Sequence, residues 1–418
     1  MLSAGRVRAR TRSVFFGWWI VAAGVGIQTA IAGLLNQAYG AYVVILQEQF
    51  GWSKTAFSAA YAIQQAESGL LGPAQGWLLD RFGPRNVMRV GILVLGVGFM
   101  AFSQINSLVT FYLAFLLMAL GSSLGGFMSI TTTLVNWFER RRTTALAVMQ
   151  TGGAFGGLLV PLVAWSLTTW GWRPTAFGSG LVIIAVGLPL AQLMRNSPEQ
   201  YGLRPDGALA GTVESGGGRP LALSGFTARQ ALRAPTFWYL SFGHSLSMFV
   251  VASVTVHLIP HVTEDLDFTL AQAAGVVSIM TTAMMVGQLS GGFLGDRYSK
   301  RLIAVVATCG HVAAMVTLAL ATVGLAVIAG AILQGLAHGV RGVQMMPIRA
   351  DYFGRQAFAT IMGFSSLVMV WGVMAGPIVV GLIADRRGDY FPGFWMLAAV
   401  ASLSVVLFAL SSKPPHPA

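Results

Sequence analysis

Glu67 and Arg341 stand where charge is expensive. Each lies deep inside an apolar stretch long enough to cross a hydrocarbon core, where an arginine costs about 2.5 kcal/mol or more unless it meets water or a partner. Gln334 and His338 precede Arg341 by seven and three residues, so in a helix the three share one stripe, continued by Met345. A guanidinium is a rigid donor fork that fits a carboxylate. The chemistry this predicts is capture of an anion by Arg341; the alternative is an internal ion pair with Glu67 or a cluster of carbonyls. Glu67 has Gln64 one turn before it and is the only acidic residue deep within an apolar stretch. A carboxyl that can take up a proton at that depth suits proton coupling, and a hydrogen-bonded Gln–Glu structural site is the other reading.

Such side chains need membrane helices to position them. Of 418 residues, 55% are hydrophobic and 10% charged, with mean hydropathy +0.69. Soluble domains run to about a quarter charged, so lipid is the expected solvent. Apolar stretches of about twenty residues or more, enough for a core about 30 Å thick, fall at 15–46, 54–79, 88–106, 108–137, 144–170, 174–195, 236–260, 269–295, 301–323, 325–350, 358–384 and 391–411. The fold class predicted is an all-α membrane protein with twelve transmembrane helices in two six-helix bundles.

A net charge of +12 would suggest nucleic acid in a soluble chain, but here the charges segregate. With the N-terminus inside, the inner side receives Arg6, Arg8, Arg10, Arg12, Arg81, Arg85, Arg89 and Arg140 to Arg142. It also receives Arg195, Arg204, Arg219, Arg229, Arg233, Arg297, Lys300, Arg301, Arg349, Arg355 and Lys413. The outer side keeps Lys54, Arg173, Arg386 and Arg387. That asymmetry predicts a multi-pass inner-membrane protein with both termini cytoplasmic, a lipid partner and no nucleic acid. The lone Cys309 allows neither a disulfide framework nor a cysteine metal site within the chain. The run from Phe15 outlasts a signal peptide and reads as the first membrane helix. No Gly-rich segment carries the Lys-Ser/Thr of a phosphate loop, which argues against an ATP-driven pump, and no cofactor or metal is expected. His257 and His261, near Glu264, Asp265 and Asp267, read as an ordinary solvated loop.

The polar segment 196–234, with Gly216 to Gly218, Pro205 and Pro220, separates residues 15–195 from 235–411 as a linker between two bundles. Tails of 1–14 and 412–418 flank them, and Thr227 to Ala234 is expected as a short amphipathic surface helix. Two motifs recur at nearly one offset. Gly76-Trp-Leu-Leu-Asp80-Arg81-Phe-Gly83-Pro84-Arg85 is echoed by Gly291 to Arg301, with Asp296-Arg297 216 residues after Asp80-Arg81. Trp137 to Arg140 is matched by Tyr352 to Arg355 at an offset of 215. These repeats imply an internal duplication with parallel halves. Asp80 at a helix end suits pairing with arginines or with a neighbouring helix N-terminus, while Gly83 and Pro84 force the turn. Gly152, Gly153, Gly156 and Gly157 before Pro161, echoed by Gly372, Gly376 and Pro377, suit close helix packing and bending.

The Gly76–Arg85 segment and its echo resemble the signature of the major facilitator superfamily, and the likeness covers essentially the whole chain. A finer resemblance, to the monocarboxylate transporter and oxalate–formate antiporter branch, rests on four segments: Phe16 to Trp19, Ser197 to Gly207, Ala231 to Trp238 and Arg349 to Arg355. Residues 269–295 lack the charged side chains that the branch carries there, so its binding residues do not transfer. The resemblance implies a secondary transporter with alternating access and a cavity lined by helices one, four, seven and ten. Candidate substrate-binding residues are then Arg341, His338, Gln334, Gln28, Asn36, Tyr39 and His244, with Glu67 as the proton-coupling residue. Gly76, Asp80, Arg81, Gly83, Arg85, Asp296 and Arg297 become a latch between the halves; a solvated cluster fixing topology is the plainer reading. The expected cargo is a small organic anion such as a monocarboxylate, with a proton, carried by a monomer. Polyspecific efflux of hydrophobic compounds and a non-transporting membrane sensor are the rivals. An enzyme would need an acid–base or nucleophile constellation that the sequence does not offer.

Overall fold

The computed structural model describes residues 15–52, 54–207 and 225–415. The N-terminal arginines, the Gly216 to Gly218 run and the last three residues lie outside the described residues. Twelve helical passes run in order: α1 Phe16–Phe50, α2 Lys54–Leu70 continued by Gly72–Phe82, α3 Pro84–Phe102, α4 Leu108–Trp137, α5 Arg142–Trp170, α6 Trp172–Leu193, α7 Pro235–Asp265, α8 Leu270–Arg297, α9 Lys300–Ala319, α10 Gly324–Phe353, α11 Phe358–Arg387 and α12 Phe391–Leu410. Eleven are long and apolar enough to cross a membrane. α2 falls short because Leu71 interrupts it ahead of Pro73 and because it carries Gln64, Glu67, Gln75 and Asp80.

Local chemistry sets the ends. Ser107 with Thr110 and Thr269 with Gln272 form capping boxes that start α4 and α8. Pro84 in the first turn of α3 comes after Gly83 at φ +79°, so this helix begins four residues before its apolar run at 88. A π-helical turn, Ala32–Gln37, sits inside α1, a 3₁₀ turn, Gly157–Leu159, inside α5, and a break at Val343-Gln344 inside α10.

Each half has its own core, around Ile92, Leu95, Phe99 and Phe111 in the first and Val250, Met315, Leu318 and Phe394 in the second. Large apolar side chains such as Leu113, Leu158, Leu325 and Trp371 point outward, as lipid requires. Within the halves, α3 packs on α4 and α6, α1 on α5, α8 on α10, and α7 on α11 and α12. Between them, α2 meets α11 and α5 meets α8, which are equivalent pairs under the repeat. Glycine permits the first approach: a Cβ at Gly76 would collide with the Ala359 carbonyl, and one at Gly72 would lie 2.7 Å from that of Gly363.

After α6 the chain folds back on the first half. Trp137 donates its indole N–H to the Arg195 carbonyl (2.8 Å), and Asp206 accepts from the Glu139 and Arg140 amides (3.2 and 2.7 Å). A six-residue helix, Ala228–Arg233, capped by Thr227 and Gln230, precedes α7. One expectation needs correction: the stretch around His261 is not a solvated loop. It continues α7 as a π-helical turn, His261–Asp265. His261 is buried against Phe391 and Phe394, with Nδ1 2.7 Å from Asp265 and Nε2 3.2 Å from the Leu318 carbonyl. Aromatic packing and two polar partners, Asp265 itself among them, hold the imidazole inside.

Candidate functional site

A cavity of about 330 Å³ opens between the halves. The first half contributes amides and hydroxyls: Gln28 and Asn36 from α1, Gln64 and Gln75 from α2, and Ser122, Ser123 and Thr131 from α4. The second contributes His244 from α7, Ser365 and Ser366 from α11, and an apolar surface that includes Met346, Met362 and Val370. The serines and Gln75 are residues that sequence reasoning missed; their only signal was a polar side chain inside an apolar helix.

Glu67 sits behind the wall of the first half. It is buried, accepting from Gln75 Nε2 (3.0 Å) and Ser123 Oγ (2.9 Å), two residues that themselves reach the cavity. Gln64 donates to Asn36 (3.3 Å). A carboxyl here is one hydrogen bond removed from the solute space.

Of the seven candidate binding residues, Gln28, Asn36 and His244 line the cavity; the other four do not. Tyr39 turns away, donating its hydroxyl to the Phe57 carbonyl (2.7 Å), with its ring tilted against that of Phe115. The π-turn just before it adds a residue and rotates it off the face shared by Gln28 and Asn36. Arg341 does not face the cavity, contrary to expectation. Its stripe faces α9 within the second half: His311 Nδ1 lies 2.7 Å from Gln334 Oε1, and Arg341 donates through Nε to His311 Nε2 (3.4 Å), with its Nη2 3.4 Å from His338 Nδ1. Nη1 of Arg341 is buried with no partner. Met345 is likewise buried, and Met346 takes the cavity face instead.

Arg349 is the larger surprise. Counted as a loop charge on the inner side, it is wholly enclosed, because α10 runs on to Phe353 after its break. It donates from Nη1 to the Met345 carbonyl (2.7 Å) and from Nη2 to the Leu240 carbonyl (3.3 Å) and Ser365 Oγ (2.7 Å). Among the described residues neither Arg341 nor Arg349 has a carboxylate within ion-pair distance.

The halves are tied together at the end that carries the repeated motif. Asp80 accepts from the Ala359 amide (3.3 Å) and from the Thr360 amide and hydroxyl (2.9 and 2.6 Å), capping α11. Asp296 accepts from the Thr143 and Thr144 amides (2.8 and 3.0 Å), capping α5. The motif arginines do not pair with these aspartates. Arg81 lies over Trp77, Arg297 over Phe293, and Arg85 donates to Gln192 within its own half. The ion pairs use other residues: Arg142 to Asp351 (2.5 Å) across the halves, Lys300 to the same carboxylate (2.7 Å), and Arg355 to Glu199 (2.9 Å) and the Asn136 carbonyl (2.7 Å).

Known proteins resemble this chain in sequence and in fold. Monocarboxylate transporter 11 of Mus musculus is 29% identical, over 96% of this chain and 88% of its own. Membrane sensor protein UhpC of Salmonella typhimurium is 28% identical over 61% of this chain and 57% of its own. A bacterial homologue of the iron transporter ferroportin, solved in an outward-facing state, superposes with a TM-score of 0.74 at 14% identity, covering 96% of this chain and all of that one. The sequence profile described as Major Facilitator Superfamily matches residues 25–324 and 240–418. The chain is a multi-pass membrane transporter that belongs to the Major Facilitator Superfamily.

Proposed function

We propose that this protein carries a small organic anion, of monocarboxylate type, by alternating access through the cavity between its halves. The observation that supports this best is the Arg349 guanidinium, enclosed behind the cavity-lining Ser365 without a carboxylate partner among the described residues. A buried charge left unpaired is costly, and an arriving anion offsets that cost. Glu67, one hydrogen bond behind the opposite wall, is the group we assign to carry a coupled proton. The Asp80 and Asp296 caps act as the cytoplasmic latch between the halves. The similarity to a monocarboxylate transporter agrees with this substrate class.

The test is thermal stabilisation of purified protein by a panel of carboxylates and matched neutral solutes at two pH values, with uptake into proteoliposomes measured next. A ligand that prefers the folded state raises its stability. Stabilisation by carboxylates alone is the expected result; stabilisation by neutral hydrophobic solutes would favour efflux, a reading supported by Met346, Met362 and Met369 on the cavity wall. Binding without uptake would indicate a sensor. Glu67→Gln should abolish acceleration of uptake by an inward proton gradient, and full retention of that acceleration would remove Glu67 from coupling.

A further inference from the structure

Ser365 occupies an unusual position at the cavity wall. Its Oγ accepts from Arg349 Nη2 (2.7 Å) and from Ser241 Oγ (3.0 Å). Both lone pairs are therefore engaged, one of them by a full positive charge. Among the described residues its own O–H meets no acceptor, and Ser365, only 2% exposed, is one of the residues that line the cavity. Arg349 behind it is 0% exposed and keeps a buried Nε without a partner. Its positive charge is thus delivered to the solute space through one hydroxyl. His244 opens on the same cavity, while Met362, Met369, Val370 and Val373 offer an apolar surface.

We propose that the Ser365 hydroxyl, polarised by Arg349 and flanked by His244, is the anchoring donor for the substrate carboxylate, and that the adjoining methionines and valines take a short alkyl body. This rests on the organic-anion reading and adds to it the atom that holds the charge and the kind of tail the substrate carries. The polarised O–H donates to one carboxylate oxygen; a guanidinium locked to two backbone carbonyls supplies charge without leaving its own bonds. Arg349 therefore positions and polarises, and Ser365 touches the substrate. Asp351, which pairs with Arg142 of the other half, lies on the same helical segment, Met345–Phe353. An anion seated at Ser365 thus bears directly on the element that holds the halves together.

The experiment uses full-length protein in proteoliposomes and measures binding and uptake of acetate, propionate, butyrate and lactate, with the corresponding amides as neutral controls. Wild type should bind the acids, more tightly from acetate to butyrate, and not the amides. Ser365→Ala should weaken carboxylate binding by roughly tenfold to a hundredfold, as loss of a charge-assisted donor does, while Ser365→Thr, which keeps the hydroxyl, restores it. Arg349→Lys should weaken binding to a similar extent. If that variant does not fold, the Ser365 pair decides alone, since it leaves the arginine's backbone bonds intact. Wild-type binding of acids with an unchanged Ser365→Ala would overturn the subsite and leave the anion reading standing. Failure of wild type to bind any of the acids would overturn both.

Discussion

The two places where the halves meet use one device in unlike surroundings. At both, an aspartate from the repeated motif caps a helix of the other half, and glycine lets backbones touch. At the α2–α11 junction Asp80 is the anionic tie, with three hydrogen bonds, and its neighbour Arg81 turns to Trp77. At the α5–α8 junction Asp296 makes two, and Arg142 to Asp351, itself held by Lys300, lies beside it. Duplication reproduced the cap, but the reinforcement differs: an ion pair across the halves beside Asp296, and the Arg355 bond to the Asn136 carbonyl near Asp80. Among the described residues the first junction has no ion pair between helices of the two halves, so it is the one expected to open more readily when its cap is lost.

That asymmetry sets an order of effects. Asp80→Ala leaves two amides of α11 uncapped and unopposed in charge, at a cost of about 1–2 kcal/mol; spin-label distances between the basic ends of the halves should lengthen, with uptake falling about tenfold. Asp296→Ala loses a similar cap but retains the Arg142 pair, so its shift should be about half as large. Equal shifts for the two variants would break the comparison. Arg142→Ala alone should cost about 1 kcal/mol, because Asp351 keeps Lys300; combined with Asp296→Ala it should bring the second junction to the level of Asp80→Ala. Arg81→Ala should change stability by less than about 0.5 kcal/mol, measured by thermal unfolding, since among the described residues it makes no hydrogen bond or ion pair across the halves.

The cavity walls differ too. One presents amides and hydroxyls backed by Glu67, and the other His244 and Ser365 backed by Arg349, with Arg341 deeper in the bundle. Arg349 was unreadable from the chain because a charge at the end of an apolar run looks like a loop residue. Only the break at Val343-Gln344, and the packing of α7 and α11 around the Met345–Phe353 segment, brings it inside. Arg341 was legible as a buried charge, but its direction was not: periodicity puts Gln334, His338 and Arg341 on one stripe without saying that His311 of α9 waits there. Tyr39 was displaced by a π-turn that leaves no mark in hydropathy.

The amino-acid order determined everything that depends on local composition: apolar runs of membrane length, their duplication, the motif aspartates at helix ends, and charge at depth in Glu67 and Arg341. Lipid imposes these, since each backbone group must be bonded within its own helix and each buried charge must be compensated. Which face of a helix meets the cavity was decided only in the assembled molecule. A single inserted or broken turn rotates every residue beyond it, and the partner that neutralises or frees a charge comes from another helix, distant in sequence.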